Sequence, residues 1–270
     1  AGATLVRDSD PASEVAETHA KAGGILSAFG LVAPAPVPAL DVAALARDED
    51  VVLALHDRNR RLSRFWLTDQ AGAPPDPSLR GRRVVVLDGE DAFVNMLRHV
   101  LGVLGMTTEV VRHSEIEAYG DRVLAADLVV VGPGPGDPRD PADPKVAALR
   151  SAVDRLLEQR RPFLAVCLGH QALCHRLGLD LDYKDIVFQG TQSPVDIDGR
   201  TERVGFYNTF VARATRPLPA DVAVEADPVT GDVHLVRGPH FRGIQFHAES
   251  ILTERGYDLL HDLVRDLVGR

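Results

Sequence analysis

Cysteine is scarce in this chain, and the positions of the two cysteines exclude a disulfide-stabilised fold. Cys167 and Cys174 are the only cysteines among 270 residues, and both fall in one short segment. That segment reads as a strand, a turn and a helix, in which the spacing is too close for a structural bridge. We therefore expect reduced thiols and a cytoplasmic location.

Positive charge and long apolar runs are scarce as well. Lysine and arginine number 30 against 39 aspartate and glutamate residues, which gives a formal net charge of −9 at pH 7. Nucleic acids and anionic membranes are bound by basic surfaces, so this charge argues against both partners. No apolar run approaches the roughly 20 residues that a membrane-spanning helix needs. The composition, 45% hydrophobic and 26% charged, is typical of a globular protein.

Changes in composition divide the chain into three segments. Residues 1–30 are predicted to form a short strand at 3–6 and a helix over 12–29, a unit too small to have its own core. Residues 31–81 begin and end with stretches rich in proline and glycine, which are typical of a linker between domains. Residues 82–270 are long enough for one complete domain.

Two local predictions concern the first two segments. Ser9 or Asp10 precedes the predicted helix and can act as its N-cap. Within the linker, strand-like runs at 51–55 and 62–67 flank a polar stretch, and this pattern predicts a hairpin.

The third segment alternates strand-like runs with helical periodicity, and this alternation predicts its fold class. Strands that alternate with helices form a mostly parallel, open α/β sheet with helices on both faces. The predicted strands lie at 84–87, 108–111, 128–131, 163–166, 186–189, 203–206, 222–225, 233–236 and 243–246, and the predicted helices at about 93–104, 144–159 and 254–268.

A cysteine stands at the end of one of these apolar strands. The run 163–166 leads directly into Cys167, and Gly169 opens a helix-like segment two residues later. A nucleophile at such a sharp strand-to-helix turn stands clear of the sheet, and the first N–H groups of the helix point toward it. The pattern therefore predicts a reactive thiol.

A candidate base and acid follow the last predicted strand. In an extended chain, residues two apart face the same side, so His247 and Glu249 are expected to be neighbours. The carboxylate would then fix the imidazole tautomer and stabilise the imidazolium, as in a nucleophile–histidine–acid triad. An adjacent imidazolium also lowers the pKa of a thiol.

The loop after strand 128–131 completes the candidate site. Its sequence, Gly-Pro-Gly-Pro-Gly-Asp-Pro at 132–138, is stiff and leaves glycine N–H groups accessible. One of these N–H groups and the N–H of Leu168 can form an oxyanion hole. Each feature alone has a simpler interpretation, since lone cysteines and histidines are usually structural and Gly/Pro loops are usually turns. Cys174, His170 and His175 receive that structural interpretation, and no Cys/His cluster has zinc spacing, so we predict no metal site.

Together, three motifs resemble the hallmarks of class I (triad) glutamine amidotransferases. They are Cys-Leu-Gly-His-Gln at 167–171, the loop at 132–138 and Gln-Phe-His-Ala-Glu-Ser at 245–250. The resemblance covers residues 82–270 and implies a flavodoxin-like sheet with glutamine as the substrate. It also implies that Cys167 attacks the glutamine side-chain amide, with His247 and Glu249 completing the triad.

The same resemblance implies roles for five further residues. Gly134 and Leu168 would hold the oxyanion, and Gln171 would contact the substrate together with the backbone around Thr209 and Phe210.

The chain departs from the family pattern at three positions. Gly89 and Ala92 differ from the usual residues in the loop after the first strand, and Ala248 stands where the family usually has proline. The loss of that proline is expected to loosen the link between His247 and Glu249.

The N-terminal segment is similar to a different family. Residues 1–18 resemble the last strand and helix of chorismate-utilising synthases, in the order found in fused anthranilate synthases. The runs at 64–67, 188–192 and 204–210 resemble the phenazine-type branch, the 2-amino-2-deoxyisochorismate synthases. The resemblance implies that residues 1–30 end a chorismate-binding domain, that its Mg²⁺ ligands lie upstream, and that this chain holds no cofactor. That synthase domain would be the partner, and a homodimer is one candidate assembly.

Three functions remain open from the sequence. The first is glutamine hydrolysis that supplies ammonia for 2-amino-2-deoxyisochorismate or anthranilate formation. The second is a catalytically silent regulatory or scaffold subunit of the amidotransferase type. The third is a γ-glutamyl hydrolase of the same fold.

Overall fold

The computed structural model of the chain describes residues 9–33, 40–70 and 74–269. The chain divides into two compact units, Ala1–Arg58 and Asn59–Arg270. The strand predicted at 3–6 lies outside the described residues. Within the described ranges, no helix has the length and apolarity that a bilayer crossing requires.

The first unit contains helices α1 (Pro11–Ala28), α2 (Val42–Leu45) and α3 (Glu49–Asn59), the last of which ends just past the boundary. The predicted helix is confirmed as α1, and its N-cap is Asp10, whose carboxylate accepts the Ser13 N–H at 2.9 Å. No residue of these three fully described helices is buried.

The hairpin predicted from the runs at 51–55 and 62–67 is wrong. The first run lies inside α3, and the second gives way to the short helix α4 (Arg64–Leu67). The Asp48 carboxylate accepts the N–H groups of Asp50 and Val51 and so caps α3 at its N-terminus. A short apolar run fits a helix as well as a strand, and here the cap decides for the helix.

The second unit is built on a mixed sheet. Its strand order is β2-β1-β3-β4-β11-β10-β8-β5, and β9 pairs with β10. From β2 to β11 all neighbours are parallel, and the pairs beyond β11 are antiparallel. The strands are β1 (Arg83–Asp88), β2 (Thr107–Arg112), β3 (Leu128–Val131), β4 (Phe163–Val166), β5 (Asp180–Tyr183), β6 (Thr191–Ile197), β7 (Arg200–Phe206), β8 (Phe210–Arg213), β9 (Ala223–Ala226), β10 (Asp232–Arg237) and β11 (Phe241–Ile244). Strands β6 and β7 form a separate antiparallel pair.

Helices cover both faces of this sheet, which confirms the predicted α/β architecture. Side chains alternate along β1, so Val84 and Val86 face one hydrophobic cluster and Val85 and Leu87 the other. The helices of this unit after α4 are α5 (Phe93–Val103), α6 (Gly120–Leu124), α7 (Pro144–Glu158), α8 (Leu168–Arg176) and α9 (Gly256–Val268). The first cluster contains residues of α5 and α9, and the second contains residues of α7 and α8.

Two strand predictions fail in informative ways. Residues 186–189 form no strand, because only isolated backbone bonds reach this stretch, such as Phe188 N–H to Asn208 O at 3.1 Å. Ile186 is 73% exposed, so its apolar character does not reflect burial. Strand β11 ends at Ile244 rather than continuing to residue 246.

The parallel strands place one set of loops at a common edge. Strands β1, β3, β4 and β11 run in the same direction, so the loops after their carboxyl ends meet at the same edge of the sheet. Ligand sites of open α/β sheets lie at this edge.

Candidate active site

Cys167 lies directly after β4 and immediately before α8, in a strained backbone conformation. Its φ of 52° and ψ of −103° are rare for a residue with a side chain. Its N–H donates to the Ile244 carbonyl at 2.9 Å, and its own carbonyl accepts the Gln171 N–H at 3.0 Å. These two bonds tie the turn to β11 and to the first turn of α8, and so hold the strained geometry.

The start of α8 packs closely against the end of β3. A Cβ at Gly169 would lie 2.2 Å from the Val131 carbonyl oxygen, so only glycine fits there. Leu168 is the first residue of α8, and its N–H therefore has no partner within the helix. This N–H is one of the two donors that the sequence predicts for an oxyanion.

His247 and Glu249 form a buried pair. The Nδ1 atom of His247 lies 2.8 Å from Oε1 of Glu249, and both side chains are inaccessible to solvent. The sequence predicts this proximity from strand alternation. After β11, His247 forms an isolated antiparallel bridge with Gly205, and Glu249 lies in the turn that follows. The His247 N–H donates to the Gly205 carbonyl at 2.9 Å, and the Thr253 hydroxyl donates to the His247 carbonyl at 2.5 Å. The bridge at His247 and the turn that follows it therefore bring the two side chains together, without a continuous strand.

The charge state of His247 follows from its neighbours. Burial by itself lowers the pKa of His247, but the Glu249 carboxylate and the Cys167 sulfur outweigh burial and raise that pKa well above its ordinary value. The imidazolium is therefore the favoured form near neutral pH. The Nε2 atom is buried, and no described nitrogen or oxygen atom hydrogen-bonds to it, so it is available to exchange a proton.

Two aromatic rings fix the plane of the His247 imidazole. The ring centroids of Phe93 and Tyr207 lie 4.4 Å and 5.2 Å from that of His247. The Tyr207 hydroxyl is in turn 3.0 Å from the Ser250 hydroxyl. Neither ring was predicted from the sequence to contact His247.

The loop at 132–138 is pressed against the loop after β1. A Cβ at Gly134 would lie 2.2 Å from the Gly89 carbonyl oxygen, and a Cβ at Gly89 would lie 2.5 Å from the Pro133 carbonyl oxygen. Glycine at 89, one of the departures from the family pattern, therefore permits this close approach.

A cavity of about 340 Å³ opens at this edge of the sheet. Gly134, Cys167, Gln171, Thr209 and Phe210, five of the predicted site residues, line it. Four residues without a predicted role line the cavity as well: Asp91, Gln189, Tyr207 and Asn208.

Gln171 is held within the protein by its amide nitrogen. Its Nε2 donates to the Phe210 carbonyl at 2.9 Å and to Oε1 of Gln245 at 3.0 Å. The Asn208 amide donates to the same Phe210 carbonyl at 2.8 Å. Gln245 had no predicted role, yet its Nε2 lies 3.8 Å from the Cys167 sulfur. The backbone at Phe210 and the thiol are thus linked through two glutamine side chains.

Cys174 and His170 are buried away from the cavity lining, as the structural interpretation predicts. Burial lowers the pKa of His170 to about 4 and raises the pKa of Cys174. The Cys174 sulfur lies 3.4 Å from Nε2 of His170. Both groups are therefore neutral at physiological pH. Among the described residues, no cluster of three or more His, Cys, Asp or Glu side chains could hold a metal ion.

Comparison with known proteins places this geometry in a family. Residues 85–267 match the family described as glutamine amidotransferase class-I. A phenazine-specific anthranilate synthase of Pseudomonas chlororaphis is 42% identical over 273 residues, which cover 98% of this chain and 40% of that protein. An anthranilate synthase component 2 of Saccharolobus solfataricus is 30% identical over 192 residues, which cover 67% of this chain and 96% of that protein.

A solved structure shows the same fold. The crystal structure of a glutamine amidotransferase from Thermotoga maritima has a TM-score of 0.57 at 16% identity, and the match covers 71% of this chain and 98% of that one. This chain spans 40% of the length of the phenazine-specific relative. The family match and the shared fold lead to one conclusion: the chain belongs to the class-I glutamine amidotransferases.

Proposed function

We propose that Cys167, His247 and Glu249 hydrolyse the side-chain amide of glutamine, and that the ammonia serves a chorismate-binding synthase domain. One observation carries the proposal. The Cys167 thiol, in a strained backbone conformation, lines the cavity, and the same edge of the sheet holds a buried pair in which His247 Nδ1 lies 2.8 Å from Glu249 Oε1. Both parts stand at the carboxyl edge of one sheet, where the fold places ligands.

The chemistry follows from the charges of the three side chains. The Cys167 thiolate attacks the amide carbon of glutamine, and the tetrahedral oxyanion accepts hydrogen bonds from the N–H groups of Gly134 and Leu168. The His247 imidazolium donates its proton to the departing nitrogen, and ammonia leaves. The enzyme then holds a γ-glutamyl thioester on Cys167.

Hydrolysis of the thioester returns the enzyme to its starting state. Neutral His247 takes a proton from water as the water oxygen attacks the thioester carbonyl. The second tetrahedral intermediate expels the Cys167 thiolate, and glutamate leaves. Glu249 keeps the proton of Nδ1 directed toward itself throughout, so Nε2 is the atom that exchanges protons.

The size of the cavity suits a free amino acid. Small-molecule sites range from about 300 to 1,000 Å³, and the cavity of about 340 Å³ is at the lower end. Gln171 and Asn208 fix the Phe210 carbonyl, so the backbone around Thr209 and Phe210 forms a rigid wall for the substrate.

Two comparisons support the use of the ammonia in a reaction of chorismate. The Pseudomonas chlororaphis relative is named a phenazine-specific anthranilate synthase, and the Saccharolobus solfataricus relative an anthranilate synthase component 2. We propose that residues 1–30 end a chorismate-binding domain, that 31–81 link it to the amidotransferase domain at 82–270, and that Mg²⁺ is bound upstream. The final product, 2-amino-2-deoxyisochorismate or anthranilate, is set by that domain.

The test is glutamate release from glutamine by the full synthase, with Cys167→Ala as the variant and Cys174→Ala as the matched control. We expect Cys167→Ala to abolish release and Cys174→Ala to preserve it. Undiminished release by Cys167→Ala would contradict the proposal. If the unaltered protein released no glutamate, a silent scaffold would be favoured. If it cleaved γ-glutamyl peptides in preference to glutamine, a γ-glutamyl hydrolase would be favoured.

A further inference from the structure

A short segment upstream of the family match lies against the loop that carries Glu249. We call residues 61–66 the strap and residues 249–252 the acid loop. The Ser63 N–H donates to the Ile251 carbonyl at 2.8 Å, and the Trp66 indole N–H donates to the Glu249 carbonyl at 2.8 Å. The strap lies in the same compact unit as the acid loop, although the family match begins at residue 85.

A third connection runs through a side chain of β6. The amide nitrogen of Gln192 donates both to the Arg61 carbonyl at 2.7 Å and to the Leu252 carbonyl at 2.8 Å. Three carbonyls of the acid loop therefore accept hydrogen bonds. Those of Glu249 and Ile251 accept from the strap, and that of Leu252 accepts from Gln192, which also binds the strap.

The indole of Trp66 is fixed by the rings around it. Phe65 meets it edge to face with centroids 5.0 Å apart, and His99 of α5 packs against it at 5.5 Å. Phe65 also stacks on Tyr257 of α9 at 5.0 Å with 14° between the planes. Ser63 is 2% exposed. The indole N–H is therefore held in one direction, toward the Glu249 carbonyl.

The Glu249 carboxylate has a single hydrogen-bond partner among the described residues. Its Oε1 pairs with His247, and its Oε2 is buried without a hydrogen-bond partner among the described residues. No other described side chain holds the carboxylate by a hydrogen bond, so its place is set by the backbone of the acid loop. Ala248 is expected to loosen this loop. Two hydrogen bonds act against that loosening: the one from Trp66 to the Glu249 carbonyl and the one from the Thr253 hydroxyl to the His247 carbonyl.

We propose that Trp66 is a positioning residue of the amidotransferase, whose indole N–H fixes the Glu249 carbonyl and thereby sets the acid against His247. The inference rests on the proposed function of the triad. A segment upstream of the family fold thus completes the catalytic geometry. Loss of the contact weakens the coupling of Glu249 to His247, so the imidazolium loses its proton at lower pH.

The test compares Trp66→Phe, which keeps an aromatic ring but removes the N–H, with the control Thr68→Val. The Thr68 hydroxyl donates to the Arg64 carbonyl at 2.9 Å and does not reach the acid loop. The rate at which diazo-oxo-norleucine, a diazoketone analogue of glutamine, labels Cys167 is measured with this chain at a series of pH values. Glutamine hydrolysis is followed in the full synthase.

We expect Trp66→Phe to lower the labelling rate and kcat by about 10-fold, the typical effect of one lost hydrogen bond. Its KM for glutamine should stay unchanged, because Trp66 does not line the cavity. The alkaline limb of the pH profile should move to lower pH. Thr68→Val should match the unaltered protein in all four measurements.

Equal rates and pH profiles for Trp66→Phe and the unaltered chain would overturn this inference alone. If the unaltered chain is not labelled at Cys167, the proposed function fails and the inference fails with it. If Trp66→Phe does not fold, the single tryptophan of the chain is replaced during biosynthesis by benzothienylalanine, which keeps the shape of the indole but has no N–H. A shifted alkaline limb of the labelling profile supports the role of Trp66, and an unshifted one overturns it.

Discussion

Nδ1 of His247 lies 2.8 Å from Oε1 of Glu249, and neither side chain is accessible to solvent. A buried carboxylate beside an imidazole stabilises the protonated ring and raises its pKa, as found here. The Cys167 sulfur adds to the same effect. The pair therefore keeps a proton available for the leaving nitrogen of an amide at neutral pH.

Glu249→Gln should remove this effect without changing side-chain volume. The pKa of His247 falls because its largest favourable partner is lost, so the imidazolium disappears at lower pH. We expect glutamine hydrolysis to drop on the order of 100-fold or more, with the alkaline limb of the pH profile at lower pH. The matched control is Glu117→Gln on an exposed loop. A pH profile identical to that of the unaltered enzyme would show that Glu249 does not act on His247.

His170 should make the fold sensitive to acid. Burial lowers its folded pKa from 6.5 to about 4, so the unfolded chain binds the proton more tightly. Stability is then fully present above pH 6.5 and declines as the pH falls toward 4, by about 3 kcal/mol for this group. Urea unfolding of His170→Gln should show a smaller decline over this range than the unaltered chain.

The control for this experiment is His19→Gln, at an exposed position of α1. Its acid dependence should equal that of the unaltered chain. If His170→Gln also reproduces the full decline, the buried imidazole is not its source.

Gly134→Ala should displace the candidate oxyanion loop. A Cβ there would lie 2.2 Å from the Gly89 carbonyl oxygen, so the backbone must move and carry its N–H with it. Loss of one oxyanion donor costs about 10²- to 10³-fold in kcat. Gly102→Ala makes the same change on an exposed face of α5 with no atom within 4 Å, and should leave kcat unchanged. Equal kcat values for the two variants would contradict an oxyanion role for this loop.

Cys174→Ala should leave the chemistry intact. The thiol is fully buried, and burial raises its pKa, so it is neither charged nor reactive. We expect unchanged glutamine hydrolysis and a loss of about 1 kcal/mol in the free energy of unfolding from the smaller side chain. A large fall in kcat at unchanged stability would assign Cys174 a part in the reaction.

The central strands were predictable because burial on both faces leaves an uninterrupted apolar run. The boundaries of β3 (Leu128–Val131) and β4 (Phe163–Val166) agree with the sequence prediction residue for residue. The run at 51–55 is equally apolar but belongs to a helix, because Asp48 caps it. Apolar character alone does not distinguish the two structures.

The site was partly predictable for a different reason. The motifs place Cys167, Gly134 and His247 after parallel strands, and the sheet topology brings those strand ends together. The contact between Trp66 and Glu249 joins residues far apart in the chain, and no periodicity signals it. The proximity of His247 and Glu249 was expected from a continuous strand, whereas an isolated bridge at His247 followed by a turn produces it. The expected homodimer and cytoplasmic location stay predictions.

The most direct measurement of the central claim is mass-spectrometric mapping of the chain after treatment with diazo-oxo-norleucine. Our account predicts one adduct per chain, on Cys167, with formation slowed by competing glutamine and lost in Cys167→Ala. An adduct on Cys174, or no adduct on a folded chain, would contradict the claim that Cys167 is the nucleophile of a glutamine-hydrolysing site.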